Sequence, residues 1–282
     1  MKVIRTIAVC GAGTMGSGIA QLAAQAGFNT IQFDLSPAAL DKSRMGIAAQ
    51  LAKLVEKAKI TAEEKDQVMS RIRFSSELAD CKADVIIEAI IENQEVKTKL
   101  FNDLAIFNDP SVIFATNTSS ISIDAIAEGM GRPEMLVGMH FFNPAPVMKL
   151  VEVIRGSQTN PSVTEQIYQL AKQLGKVPVI CKDAPGFIVN RVARHYYLEA
   201  MQMVEKGLIT AEQADAAMEA AGFKMGPFKL MDLIGLDINY KVSNIVWEAL
   251  GCPERLTPSP LQQAKLNEGK LGKKTGEGFY KY

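Results

Sequence analysis

The sequence predicts a doubly wound, mainly parallel α/β domain carrying a helical hairpin insertion, followed by an all-helical C-terminal domain. Three observations carry this. The first ~180 residues alternate short β-rich runs with helical ones. A glycine-rich turn follows the first of those runs, and the β signal ends at Asp183-Ala184-Pro185-Gly186. A chain of 282 residues is long enough for two cores, and the boundary is placed to give domains 1–183 and 184–282.

Strands are expected at Thr6–Cys10, 30–33, 85–89, 112–115, 136–140, 150–154 and 177–181. Most are continuous apolar runs, as strands covered on both faces require. Residues 37–73 are too long for a simple crossover and read as a helical hairpin, broken at 60–64, where Thr61 and Glu64 form a capping box. Leu51, Leu54, Val55 and Ala58 make its apolar stripe, and Lys53 and Lys57 share another face. Beyond residue 183, helices are expected at 187–206, from the capping box of Thr210 and Gln213 onward, and over 231–250 with Gly235 interrupting.

With 31 basic and 31 acidic residues, nothing points to a nucleic-acid partner. No apolar run reaches the ~18 residues that span a bilayer, so no membrane partner is expected. The start, Met1-Lys2-Val3-Ile4-Arg5, runs into a strand without a signal-peptide plan. The four cysteines, Cys10, Cys81, Cys181 and Cys252, are scattered without metal spacing, so no structural metal and a reducing, cytoplasmic location are expected.

The turn Gly11-Ala12-Gly13-Thr14-Met15-Gly16 sits between a strand and a helix. Gly11 permits the tight turn, Gly13 lets backbone approach a pyrophosphate, and Gly16 allows helix and strand to pack closely. The helix N-terminus, at Thr14 and Met15, offers N–H groups to phosphate. Asp34 ends the next strand, placed to accept hydrogen bonds from ribose hydroxyls and to repel a 2′-phosphate. This favours NAD over NADP; FAD is the rival dinucleotide.

His140 is one of two histidines and is expected in the short loop between the runs 136–140 and 150–154. Glu152 on the second run is placed to fold back onto the imidazole. A histidine titrates near neutrality, and a neighbouring carboxylate fixes its tautomer and stabilises its cation, the minimal machinery for proton transfer. Together with a nicotinamide, the pair suggests reversible oxidation of an alcohol. Asn117-Thr118-Ser119-Ser120 and Asn143 also fall at strand ends, where doubly wound sheets bind ligands. Ser119 also stands where a helix cap could sit. Asn190 opens the first helix of the second domain.

The runs 11–19, 117–120, 138–154, 185–191, 226–230 and 276–280 resemble the 3-hydroxyacyl-CoA dehydrogenases, most closely the free-standing bacterial 3-hydroxybutyryl-CoA type. The resemblance covers essentially the whole chain. It implies His140 as general base, Glu152 as its orienting carboxylate, and Ser119 and Asn190 as hydrogen-bond partners of the substrate oxygens. It places Glu92, Lys97, Asn117 and Asn143 along the nicotinamide half of the cofactor, and Lys53 and Lys57 at the CoA moiety. It also implies a homodimer built through the C-terminal domain. Segments 192–197 and 221–225 depart from the butyryl pattern and are similar to relatives that oxidise 3-hydroxyadipyl-CoA, which bears on the acyl tail. His195, within the first of these, reads as structural, at a subunit contact or the acyl pocket. Two rival readings share the layout. A β-hydroxyacid dehydrogenase would need a catalytic lysine where this chain has Asn190-Arg191, and a non-catalytic NAD-binding protein would be expected to lose one of Ser119, His140, Glu152 or Asn190.

Overall fold

In a computed structural model, residues 3–282 are described; Met1 and Lys2, the beginning of the run read as leading into a strand, lie outside them. The apolar runs become β1 (Thr6–Cys10), β2 (Asn29–Phe33), β3 (Ile72–Ser75), β4 (Val85–Glu88), β5 (Ile113–Thr116), β6 (Leu136–Phe141), β7 (Leu150–Arg155) and β8 (Val177–Lys182). They form one eight-stranded sheet in the order β3-β2-β1-β4-β5-β6-β7-β8. Neighbours are parallel except β6 and β7, which run antiparallel. Strand order reverses between β1 and β4, the switch point beyond whose carboxyl ends such sheets bind ligands.

Helices α1 (Thr14–Gln25), α2 (Pro37–Glu56), α3 (Ala62–Ser70), α4 (Gln94–Phe107), α5 (Ile123–Ala127) and α6 (Pro161–Gln173) belong to this first unit, which ends at Asp183. Its core joins Ile7 and Val9 of β1 to Ile87, Ala115, Val137 and Val153 across the sheet. Burying each such branched side chain contributes roughly 1.5–3 kcal/mol. A smaller cluster of Ile47, Leu51, Val68 and Ile72 seats the α2–α3 hairpin. The second unit, from Ala184, holds α7 (Val189–Glu205), α8 (Ala211–Ala220), α9 (Pro227–Ile234), α10 (Leu236–Ala249) and α11 (Pro260–Asn267). Tyr197, Met201, Phe228, Met231 and Leu236 form its core.

Several expectations need correction. Residues 72 and 73, read as the end of the hairpin, instead begin edge strand β3 beside β2. Four residues with a charge at Arg73 carry too little apolar signal to announce a strand, and a short charged strand is how sheets protect an edge. Helix α2 ends at Glu56, so Lys57 is its C-cap and Ala58, at φ +51°, leaves the apolar stripe. Helix α7 starts at Val189 rather than 187, because Gly186 and Phe187 sit at φ +73° and +48°. Strands β2 and β4 to β8 differ from their expected spans by one residue at one or both ends. The capping boxes at Thr61 and Thr210 are both formed, and Gly235, at φ +102°, separates α9 from α10.

Candidate active site

The glycine turn is built as its residues require. Gly11 has φ +111°, and a Cβ there would meet the Ala89 carbonyl oxygen at 2.5 Å. A Cβ on Gly16 would lie 2.0 Å from the Gly11 oxygen, so only glycine lets α1 approach its strand this closely. Around Gly13 nothing stands within 4 Å of that position, and no side chain caps the α1 N-terminus that Gly13, Thr14 and Met15 open. An open cradle under helix N–H groups fits a pyrophosphate. Asp34 follows the last residue of β2, and its Oδ2 accepts from Ala12 N at 2.8 Å while Oδ1 accepts from Ser36 N at 2.9 Å. The carboxylate is thereby fixed against the turn. These residues fit a dinucleotide.

His140 is not in a loop: it lies within β6, directly opposite Glu152 of β7 in the antiparallel register. Its Nδ1 stands 2.7 Å from Glu152 Oε2, and both residues are buried. An ionised carboxylate only accepts, so this contact puts the ring proton on Nδ1 and leaves Nε2 as the basic nitrogen. The Phe142 ring packs 4.6 Å from the imidazole. Asn117, just past β5, accepts from Phe141 N at 2.9 Å through Oδ1, tying the ends of β5 and β6 together. Asn143 lies beyond β6, exposed, ahead of a cis peptide to Pro144.

A buried ionic cluster underlies the Ser119 segment. Glu88 ends β4 and is fully buried; its Oε1 accepts from Lys97 Nζ at 2.5 Å and from Ile90 N at 2.7 Å, and its Oε2 from the Thr116 hydroxyl at 2.6 Å. The same ammonium stands 3.1 Å from Glu92 Oε2. The other Glu92 oxygen accepts from the Thr118 hydroxyl at 2.5 Å, Ser119 N at 3.0 Å and the Ser120 hydroxyl at 3.2 Å. Burial drives Glu88 above the usual carboxylate range despite Lys97. For Glu92, burial also pushes upward, but the attraction of Lys97 and the bonds from Thr118 and Ser119 outweigh it and hold that carboxyl low. Ser122, rather than Ser119, caps α5.

The structure thus joins His140 with Glu152, Glu92 with Lys97 and Ser119, and Asp34 with the glycine turn. Asn190 is the second residue of α7 in the helical unit, where its carbonyl accepts from Arg194 Nε at 3.0 Å. Lys53 and Lys57 lie exposed at the end of α2, and the Lys57 amide donates to the Lys53 carbonyl. Sequence reasoning missed Glu88 and Thr116, and gave Thr118 and Ser120, within the segment 117–120, no role of their own. The available signal was a carboxylate closing the otherwise apolar run Val85-Ile86-Ile87, with a lysine nine residues on.

A nucleotide-binding sheet with a carboxylate-backed histidine on its sixth strand defines an NAD-linked oxidoreductase class. Sequence models described as 3-hydroxyacyl-CoA dehydrogenase, NAD binding domain, and 3-hydroxyacyl-CoA dehydrogenase, C-terminal domain, match residues 6–184 and 186–282. The chain belongs to the 3-hydroxyacyl-CoA dehydrogenase family. It is 47% identical to a 3-hydroxyadipyl-CoA dehydrogenase of Escherichia coli over 98% of its own length, but spans only 59% of that protein. Identity to the mitochondrial hydroxyacyl-coenzyme A dehydrogenase of Homo sapiens is 42%, covering 99% of this chain and 92% of the human one. The crystal structure of (S)-3-hydroxybutyryl-CoA dehydrogenase from Ralstonia eutropha superposes with a TM-score of 0.95 at 40% identity, covering 99% of both chains.

Proposed function

We propose that the chain catalyses the reversible NAD-linked oxidation of a short-chain (S)-3-hydroxyacyl-CoA to the 3-oxoacyl-CoA, with the four-carbon 3-hydroxybutyryl-CoA as favoured substrate. The observation that carries this is the 2.7 Å contact between His140 Nδ1 and Glu152 Oε2. His140 Nε2 takes the proton of the 3-hydroxyl, and the ionised Glu152 stabilises the imidazolium that results. Bound NAD supplies the acceptor for the hydride leaving C3. Ser119 and Asn190 hydrogen-bond the substrate oxygens, which orients C3 and stabilises charge on its oxygen. The turn of Gly11, Gly13, Thr14, Met15 and Gly16 holds the pyrophosphate, and Asp34 the ribose. Glu92, Lys97, Asn117 and Asn143 belong to the nicotinamide half, and Lys53 and Lys57 to the CoA moiety.

The test is NADH oxidation with acetoacetyl-CoA, run beside NADPH and 3-oxoadipyl-CoA. Fast turnover of NADH with the four-carbon substrate supports the reading; no turnover with any of the three overturns it and favours a non-catalytic NAD-binding protein.

A second reading of the acyl tail has a specific observation behind it. The two departing segments pack together, with Tyr196 stacked on Phe223 at 5.3 Å and its hydroxyl donating to the Met225 carbonyl at 2.9 Å. One helical turn after Asn190, the buried Arg194 guanidinium is held by the Asn190 and Asn239 carbonyls, the Ser243 hydroxyl and the Tyr197 ring. Burial lowers its pKa to about 10. A buried cation held by neutral groups has charge to spare for a carboxylate-ended tail, so higher kcat/KM with 3-oxoadipyl-CoA than with acetoacetyl-CoA would move the substrate to the dicarboxylic class.

The same reading makes the protein a cytoplasmic homodimer. The helical unit exposes Val192, Leu208, Leu233 and Ile238, each more than half accessible, which suits a subunit contact. A monomeric mass by sedimentation would sink the dimer. Among the described residues no helix is long and apolar enough to cross a membrane.

A further inference from the structure

The resemblance lends Lys97 to the cofactor, yet its side chain is only 1% exposed and its ammonium is engaged by Glu88 at 2.5 Å and Glu92 at 3.1 Å. A lysine this deeply buried is held by its carboxylates, because an ammonium withdrawn from water is stable only where paired. The two carboxylates have different settings. Glu88 closes β4 in the sheet core, bonded also to Ile90 N and the Thr116 hydroxyl, so it belongs to the scaffold. Glu92 lies in the connection ahead of α4, and its second oxygen gathers Thr118, Ser119 and Ser120. Lys97 is therefore the link between a fixed strand end and the segment that carries Ser119.

We infer that Lys97 is a positioning residue: anchored by Glu88, its ammonium keeps the Glu92 carboxylate turned toward Thr118, Ser119 and Ser120, and so sets the substrate-facing Ser119 hydroxyl. Glu88 thereby joins the machinery through Lys97. The inference rests on the substrate role proposed for Ser119. Geometry is the mechanism, since small misplacements of a positioning group weaken the transition state more than the ground state.

The experiment is steady-state NADH oxidation by the full chain with acetoacetyl-CoA, comparing wild type with Glu88→Gln, Lys97→Met and the Glu88→Gln/Lys97→Met double variant. Glu88→Gln keeps the side-chain volume, removes the charge of the anchor and replaces one of the two oxygens that accept from Lys97, Ile90 N and the Thr116 hydroxyl with an amide NH2. It is expected to lower kcat about 10- to 100-fold, the scale of a sub-ångström misplacement, with KM for NADH within about twofold of wild type. Lys97→Met alone strands the buried Glu88 carboxylate and can fail to fold; the double variant removes the buried Glu88–Lys97 pair together, which proteins tolerate far better. The double variant is expected to melt near wild type yet remain as slow as the worse single variant. Its kcat/KM should gain a new acid limb in the ordinary carboxylate range, because Glu92 has lost the cation that kept it charged. A merely structural pair would give no such limb. Wild-type kcat in Glu88→Gln overturns the proposal. So does a double variant that recovers wild-type kcat at saturating NADH, since Lys97 would then act on cofactor affinity alone. His140→Ala run alongside separates the two layers: if it retains turnover the site reading itself has failed, whereas a dead His140→Ala beside a fully active Glu88→Gln removes only this inference.

Discussion

His140 and Glu152 are directly paired across the antiparallel junction of β6 and β7, with Nδ1 and Oε2 2.7 Å apart. Directly opposed residues on an antiparallel pair project to the same face, so backbone register alone brings the two side chains together. A loop would have to be held in place by further contacts, whereas here the sheet ladder sets the distance. Replacing His140 by Ala should therefore leave the fold and NADH affinity nearly intact while cutting turnover by roughly 10²–10⁴, the usual worth of a general acid–base group. Fluorescence titration of NADH and steady-state rates check the two halves, and near-normal turnover would remove the role given to His140.

Glu152→Gln tests the carboxylate without emptying its place. The amide preserves volume and can accept from Nδ1, but carries no charge to stabilise an imidazolium. Turnover should fall, and the pH–rate profile should move relative to wild type. An unchanged profile would reduce Glu152 to a buried member of β7.

Asp34 is bonded to Ala12 N and Ser36 N, which leaves its charge beside the glycine turn. Asp34→Ala should raise KM for NADH and narrow the NADH-over-NADPH preference by at least about tenfold, or roughly 1.4 kcal/mol. If the preference survives intact, cofactor selection lies with other residues.

How much of this was legible follows from how each element is stabilised. Strands β1, β4 and β6 announce themselves because both faces are covered, which leaves uninterrupted apolar runs. Caps are equally local, so Thr61 with Glu64 and Thr210 with Gln213 were readable from spacing. Strand β3 was not, since its four residues owe their state to hydrogen bonds with β2 rather than to their own pattern. His140 looked like a loop residue because a polar side chain near a strand end gives no sign of its cross-strand partner. The Glu88–Lys97–Glu92 cluster was hidden for the opposite reason: charged residues at ordinary spacing look solvated until tertiary structure buries them, as it does Glu88 and Lys97.

The two carboxyls of that cluster make opposite contributions to pH dependence. Glu92 is held below its ordinary range, so the stability it adds is complete above about pH 4.3, the unfolded value. That stability is lost as pH falls toward its folded value. Glu88 is raised, so its contribution declines as pH rises from the ordinary range to that raised value. Melting temperatures measured from pH 6 down to pH 3 should fall less steeply for Glu92→Gln than for wild type. Parallel curves would show that Glu92 adds no pH-dependent stability.

The C-terminal run Gly276-Glu277-Gly278-Phe279-Tyr280 has a structural task inside the helical unit. Asp232 of α9, fully buried, accepts from Phe279 N and Tyr280 N at 2.9 Å each, and from the Tyr282 hydroxyl at 3.2 Å. Asp215 of α8 takes the Tyr280 hydroxyl at 2.7 Å while also accepting from Phe228 N and Lys229 N at the start of α9. The run therefore closes over α8 and α9 through two carboxylates. Glycine is required for it: a Cβ on Gly278 would stand 2.1 Å from Asp232 Oδ1, and one on Gly272 2.3 Å from the Asp232 carbonyl oxygen. Asp232→Ala leaves two amides without their acceptor at about 1–3 kcal/mol each, so it should cost about 2–6 kcal/mol in all. For a chain of this size that lowers Tm by several degrees. Gly278→Ala should destabilise in the same direction by forcing the run away from Asp232, and because both changes break one contact their effects should not add. The double variant measured beside the two singles decides this: fully additive losses would mean that Asp232 and the C-terminal run are not coupled.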